Sequence, residues 1–473
     1  MCERSSGGPR TLDLMPLASA TSWPPSNACS GQVDAATRSS AAASVCFVAA
    51  GVMGVGILAV PHACASAGLP EMLCLLVVCA GLSFYTMRLL TLAAEGQDCG
   101  SFEALVARLL GRAGACFLAW NILLANFGTA AAYCIVLGDR VSWALGSIWG
   151  PSVQHDWGGF AALAAVLILS APLSACRSVA ALRWNTRISL GLISAFVVLV
   201  AGYASVATAD HAQEHSGDQL VAWWAAQGGL TAATGEGLPV AVFAFSATSQ
   251  VLPAWGELRR GLACSFRGEV PPPICDLTSL LRGQMDRVLA IAVGFSLAAY
   301  AVVGSAGLAT FQGNVQEDVM DNYLAIDGLR GSGKALALSL RALALGYGLL
   351  MAFAVPVTLF PARRSLNFLL TGASTESEVS AWLLRVEGVG LALGAFAVAG
   401  LCRDLITLLD LIGSTSAVWV CVMLPVLLYL YGARPAPSRG QRRVAKAVFC
   451  VGTVLGLSSL GCTLWRRFGG KDP

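Results

Sequence analysis

The sequence predicts an all-α, multi-pass membrane protein of about eleven transmembrane helices, built as two inverted five-helix repeats with broken first and sixth spans. Three observations predict this fold class. First, 56% of the 473 residues are hydrophobic and 12% are charged, and mean hydropathy is +0.69; soluble chains carry about 25% charged residues. Second, apolar runs of about 20 residues, the length that crosses a bilayer, recur near 41–67, 70–94, 115–138, 158–175, 187–208, 236–256, 286–310, 335–360, 383–401, 405–432 and 443–464. Third, the first and sixth of these runs interrupt themselves at the depth where unpaired backbone is least tolerated.

Residues 1–40, rich in Ser, Ala, Pro and Gly, predict a disordered cytosolic tail. They lack the apolar core of a secretory signal; being Ser/Ala-rich and acid-poor, they leave a transit peptide open. A membrane core is expected over 41–432, with spans 1–5 and 6–10 as the repeats. Residues 433–473 hold the eleventh span and a short C-terminal tail.

Charge placement sets the orientation. With the N-terminus inside, the inner loops hold Arg88, Arg108, Arg112, Arg177, Arg183, Arg187, Arg363, Arg364 and Arg385, besides clusters in 257–287 and 433–446. The outer loops hold only Arg140, Arg330, Lys334 and Arg403. Cytoplasmic loops carry the excess of Lys and Arg, so the N-terminus is expected in the cytoplasm. Arg466, Arg467 and Lys471, beyond the eleventh span, run against this rule. The net charge of +3 gives no reason to expect a nucleic-acid partner. Most cysteines, Cys46, Cys64, Cys74, Cys79, Cys134, Cys421 and Cys450 among them, fall inside spans. There they act as small apolar residues. The outer loops 139–157, 209–235 and 311–334 contain none, so no external disulfide framework is expected.

The first span carries "GVMGVG", with Gly51, Gly54 and Gly56 inside an otherwise helical run. Each glycine costs a helix roughly 1 kcal/mol relative to alanine. Small residues also serve close helix packing, and taken alone the motif fits either reading. Five spans later, "GLPVAVFAFSATSQVLPAWGEL" is apolar to Phe245, then polar from Ser246 to Gln250, and bracketed by Pro239 and Pro253. Two broken spans at corresponding positions of two halves point to a transporter's central binding site. Five spans per half is odd, so the repeats are expected to be inverted. Helix bonding is expected to lapse within 51–56 and within 245–250, with the two breaks facing each other.

"GVMGVGILAVPHACASAGL" resembles the first-span signature of the amino acid/auxin permease family, within the amino acid–polyamine–organocation superfamily. The likeness continues in order along residues 41–432. "SFEALVARLLGRAG" (101–114) is similar to the family's first inner loop, and "NFGTAAAYCIVLGD" (126–139) to its third span. "LPVAVFAFSATSQVLPAWGELRRG" (238–261) resembles the sixth, and "MDRVLAIAVGFSLAAYAVVGSAGLATFQGNV" (285–315) the seventh. "VPVTLFPARRS" (355–365) and "LDLIGSTSAVWVCVMLPVLLYLYG" (409–432) are similar to the ends of the eighth and tenth. The resemblance implies a LeuT-like 5+5 inverted repeat that carries amino acids on protons or sodium. It implies a substrate carboxylate on the amides of Gly51, Val52, Met53, Gly54, Val55 and Gly56, and an amino group near Phe245, Ser246, Ala247 and Thr248. Asn126, Ala130 and Tyr133 share a face of the third span at i, i+4 and i+7 and are pocket-wall candidates; Phe243 and Phe245 are gate candidates.

One departure bears on the driving ion. In the sodium-coupled branch, a first-span asparagine and an eighth-span threonine are cation-site residues. Those positions here are Ala50 and Ala354, which offer no side-chain oxygen, so sodium is disfavoured and protons are expected. Intramembrane ionisable residues are costly and mostly functional. His62, six residues after Gly56, has an ordinary pKa of about 6.5 that suits a proton switch; the alternative is a vestibule residue with no coupling role. Glu236, at the outer start of the sixth span, is the second candidate, or a helix cap. Arg341 is expected to snorkel, and Asp410 to pair with an arginine.

Other chemistries find little support. "GLRGSGKA" (328–335) is one residue from a P-loop, but Ala335 replaces the Mg²⁺-binding hydroxyl and no strand precedes it, so no nucleotide is expected. His155, His211 and His215 sit in outer loops, and no metal site is expected of them. No Ser/His/Asp or paired-carboxylate arrangement argues for an enzyme, and no cofactor is implied. The reading is a secondary active transporter of amino acids in a bilayer, at a vacuolar or lysosome-like membrane or the plasma membrane. The alternative is a carrier-like amino-acid sensor signalling through its tail. A seven-span helical receptor is opposed by the eleven spans.

Overall fold

The structure is a computed structural model that describes residues 33–95, 97, 102–175, 183–214, 237–265, 274–326, 332–372, 379–433 and 436–465; among these, all regular structure is helical. The first span is α1 (Val33–Val52) and α2 (Gly56–Ala67), which meet at 49°. Next come α3 (Leu69–Ala94) and α4 (Phe102–Trp149). The fourth span is α5 (Pro151–Ala165), extended through a π-helical stretch, Val166–Ser170, into α6 (Ala171–Ser174). The fifth is α7 (Arg183–Glu214).

The second half repeats the pattern. Its first span is broken into α8 (Leu238–Ala244) and α9 (Thr248–Ser265), followed by α10 (Ile274–Phe311). A short helix, α11 (Val319–Leu324), precedes α12 (Ser332–Thr371) and α13 (Ala381–Leu401). The tenth span begins as α14 (Leu405–Ile412) and runs through π-helical Gly413–Ala417 and Trp419–Met423 into α15 (Leu424–Gly432). The eleventh is α16 (Arg439–Leu464). Among the described residues ten helices are long and apolar enough to cross a membrane, and the bent pair α1/α2 makes eleven.

Burial sorts the spans into centre and periphery. The sixth and tenth bury 72% and 78% of their apolar windows inside the protein, the ninth and eleventh only 28% and 22%. The sixth span therefore sits where protein, not lipid, surrounds its open backbone, as does the first around Met53, Val55 and the start of α2, which are buried as well. That is the condition for breaking a helix at membrane depth. Close approach around α2 depends on small residues: a Cβ at Gly304 would lie 2.9 Å from Cys64 Sγ, and one at Gly307 2.8 Å from Pro61 Cβ.

Several expectations are corrected. The tail expected over 1–40 is helical from Val33, and residues 1–32 lie outside the described set. The segment 101–114, expected as a loop, is helical from Phe102 and turns into the third span at Gly111, whose φ of 71° favours glycine. The outer loop expected from residue 139 is also helix, to Trp149, so Arg140 lies within α4. The eleventh span, despite its charged end, is a 26-residue helix. A capping box opens it: the Gln441 amide donates to Ser438 Oγ at 3.3 Å and the Ser438 amide to Gln441 Oε1 at 2.9 Å.

Candidate substrate site between the broken helices

Helix bonding lapses at Met53–Val55 and at Phe245–Ala247. The two breaks close in the same way. Gly54 N–H turns back to Val52 O at 3.1 Å, and Ala247 N–H turns back to Phe245 O at 3.1 Å. The second half-helix then starts, and each carries a proline five residues in: Gly56 to Pro61, and Thr248 to Pro253. Pro253 does not end its helix, and Thr248, Ser249 and Gln250 form the first turn of α9. The second break is thus shorter than the polar run suggested.

The breaks face each other. The Tyr300 hydroxyl, on α10, reaches Val52 O at 2.7 Å and Ala244 O at 2.9 Å. A Cβ on Gly56 would meet Ala244 Cα and Phe243 Cδ1 at 3.4 Å, and one on Gly51 would run into the Gln250 side chain. A Cβ on Gly54 would lie 3.2 Å from Tyr133 Oη. None of these three glycines has positive φ. Closeness, not backbone angle, is what asks for glycine here.

Polar groups from four further elements converge on this centre. Tyr133 comes from α4, Tyr300 from α10, and Tyr347 from α12, whose hydroxyl donates to Gly54 O at 3.3 Å. From α3, Ser83 donates to Phe245 O at 2.9 Å. Ser246 Oγ donates to Phe243 O at 2.6 Å, which leaves the hydroxyl oxygen able to accept. The amides of Val55, Gly56 and Ile57 stand at the N-terminal end of α2, where a helix has no internal partners for them and its dipole is positive. Phe243 and Phe245 are both buried, and Phe245 stacks edge-on against Tyr300 with centroids 5.4 Å apart.

The structure brings the predicted residues 51–56, 133, 243 and 245–248 together. Asn126, two turns before Tyr133 on the same helix, donates its amide to Ile122 O at 2.8 Å. Ala130 is fully buried in α4. His62 is half-buried on α2, about 9 Å along the helix from Gly56 at 1.5 Å per residue. Its carbonyl accepts from Ser66 Oγ at 3.1 Å. Glu236 lies outside the described residues, as does His215. Ala50 sits on α1 just before the break and Ala354 within α12. Arg341 donates to Ile326 O, and Asp410 is buried in α14.

Sequence reasoning missed Tyr300, Tyr347 and Ser83. The signal was present: a buried tyrosine hydroxyl in an apolar span needs a partner. It also missed the charge cluster beside α11. Arg140, 1% exposed, pairs with both Asp318 and Asp321, and Gly348 leaves room for it, since a Cβ there would lie 2.7 Å from Arg140 Cβ. Nearby, Glu317 accepts from Leu405 N–H at 3.0 Å at the start of α14, which Asp404 caps through Thr407 N–H at 2.9 Å.

Burial, then the hydrogen bond and charge of Asp404, push the Glu317 carboxyl up to about 7, against the opposing pull of the Ile406 and Leu405 amides. A raised acid binds its proton more tightly when folded. Its stabilising contribution is full below the ordinary value of 4.5 and is lost as pH rises through about 7. Glu317→Gln, which stays neutral, is therefore expected to match the parent in thermal stability near pH 4.5 and to exceed it near pH 8. Melting curves of both proteins across that range check this, and parallel curves would refute it.

Two pairs of half-helices opposed across the centre of an all-helical bundle define the class: a transporter of the broken-helix, inverted-repeat kind. The chain belongs to the family described as transmembrane amino acid transporter proteins, whose model matches residues 37–261 and 280–465. It is 25% identical over 408 residues to a Danio rerio protein provisionally named sodium-coupled neutral amino acid transporter 11, covering 85% of this chain and 81% of that one. It is 26% identical over 160 residues to the Arabidopsis thaliana amino acid transporter AVT6A, covering 32% and 35%. Its fold is similar to that of the Eremococcus coleocola manganese transporter, with a TM-score of 0.59, 16% identity and coverage of 94% and 91%. Mhp1, a nucleobase-cation-symport-1 family transporter, matches with a TM-score of 0.52, 13% identity and 91% of each chain. At these identities the two structures speak to the LeuT-like fold alone. The family and these relatives are transporters, not enzymes.

Proposed function

We propose that this protein moves amino acids across its membrane by alternating access, driven by protons. The observation that carries the reading is the opposed pair of breaks. The amides of Val55, Gly56 and Ile57 receive the substrate carboxylate, an anion at a helix N-terminus. Ser246 and the backbone of 245–248 receive the amino group, with Tyr133 as pocket wall beside Asn126 and Ala130, and Phe243 and Phe245 as gates. Backbone groups read the part that all amino acids share.

Proton coupling rests on Ala50 and Ala354, which supply no side-chain oxygen for sodium. The sodium-coupled name of the zebrafish relative argues the other way, at 25% identity. His62 and Glu236 are the proposed proton carriers near the outer end of the pathway, and the N-terminus is assigned to the cytoplasm of a vacuolar, lysosome-like or plasma membrane. No observation favours the sensor alternative.

Uptake of a radiolabelled mixture of proteinogenic amino acids into proteoliposomes tests this. Uptake is expected to survive replacement of sodium by choline and to rise with an inward proton gradient. Strict sodium dependence would overturn the coupling, and binding without accumulation would favour a sensor.

A further inference from the structure

We infer that Tyr300 is the positioning residue that clasps the two broken helices together, its hydroxyl hydrogen standing between their end carbonyls where a bound cation would otherwise stand. Val52 is the last residue of α1 and Ala244 the last of α8. Each carbonyl is therefore the negative end of a half-helix dipole. Two such ends pointed at one spot repel unless something positive lies between them. Transporters of this architecture commonly use such carbonyls to coordinate sodium or a proton.

Here the spot is filled by a side chain of the protein itself. Tyr300 is 0% exposed, and its oxygen lies 2.7 Å from Val52 O and 2.9 Å from Ala244 O. One hydroxyl hydrogen is shared between two acceptors. Val52 O also receives Gly54 N–H, so Ala244 O depends more heavily on the tyrosine. Phe245, edge-on at 5.4 Å and 81°, fixes the ring, so the hydroxyl cannot swing away without moving the second break. A neutral hydroxyl thereby does the bridging that a cation would do. Any step that separates α1 from α8 must release this clasp, so Tyr300 ties the opening of one break to the other.

The inference rests on the two breaks being the substrate site, and its test is chosen to stand apart from that reading. Tyr300→Phe removes only the hydroxyl. Hydrogen exchange of the full-length protein, which needs no substrate, is expected to rise at least about tenfold in both 52–58 and 244–250, the scale of a lost buried hydrogen bond. The peripheral helix α16 is expected to keep its parental rates. Unchanged exchange, or a rise at one break alone, would overturn the clasp.

Tyr300→Ser opens space at the same carbonyls. Uptake of the radiolabelled amino-acid mixture by this variant is expected to be several-fold higher in sodium than in choline, while the parent is indifferent. A purely structural tyrosine would show no such rescue, and a sodium-blind Tyr300→Ser would refute the stand-in for a cation. If the parent itself needs sodium, the proton-driven reading fails, yet the exchange result still decides the clasp.

Discussion

Gly54→Val is expected to abolish amino-acid uptake while the protein still folds and inserts. A Cβ at Gly54 would already stand 3.2 Å from Tyr133 Oη, tighter than ordinary contact, and valine adds two methyl groups beyond it. The added volume falls at the first break, where the proposed substrate meets the backbone. Overpacking of this kind costs about 1–3 kcal/mol, which a large helical bundle survives and a binding site does not. The segment is already non-helical, so no helix is lost.

Gly54→Ala tests the geometry more finely, since it adds only the Cβ. A lesser loss of uptake is expected, with partial recovery on combining it with Tyr133→Phe, which removes the crowding oxygen. Thermal stability and uptake measured on the same preparations separate the alternatives. If Gly54→Val mainly lowers the yield of folded protein, the glycine serves helix packing. If the variant is stable and transports normally, both readings fail.

Arg140→Met is expected to destabilise the protein by about 3–5 kcal/mol, the cost of leaving buried charges without their partner. Arg140 is 1% exposed, and its guanidinium holds Asp318 and Asp321 on the segment around α11 against the third span. Methionine keeps the packing volume and removes the charge, so the two carboxylates face each other uncompensated. Adding Asp318→Asn and Asp321→Asn removes that repulsion and is expected to restore most of the lost stability. Thermal unfolding of the single and triple variants in one detergent checks this. Equal midpoints for Arg140→Met and the parent would show that the cluster contributes nothing.

Much of the fold was legible because membrane burial writes itself into local composition. Every predicted apolar run meets a helix, and the break at Met53–Val55 lies inside the glycine motif that foretold it. Elsewhere the local reading ran short. Ser246–Gln250 looked like one polar break, but Thr248 onward is helix. Pro253 is tolerated there because the carbonyl it leaves without a helical donor belongs to Ser249, in the helix's first turn. Spacing put Asn126 on one face with Tyr133, but it could not show that the Asn126 amide is held by Ile122 O, the carbonyl of its own preceding turn. Arg140 looked like the start of a loop because hydropathy falls at Asp139-Arg140. A charge buried by distant partners leaves the same trace as one in water.

The number of spans, the two places where helices open and the lack of side-chain oxygens at Ala50 and Ala354 could all be read along the chain. These follow from hydropathy, glycine placement and residue type, which are properties of a few neighbouring positions. What the opened backbone faces depends on how distant spans pack. Tyr300 reaches Val52 from 248 positions away, Tyr347 reaches Gly54 from 293, and Asp318 reaches Arg140 from 178. At such separations chain connectivity says nothing about who meets whom. Packing decides it, because a protein interior leaves few buried carbonyls and charges without a partner, whatever the distance along the chain.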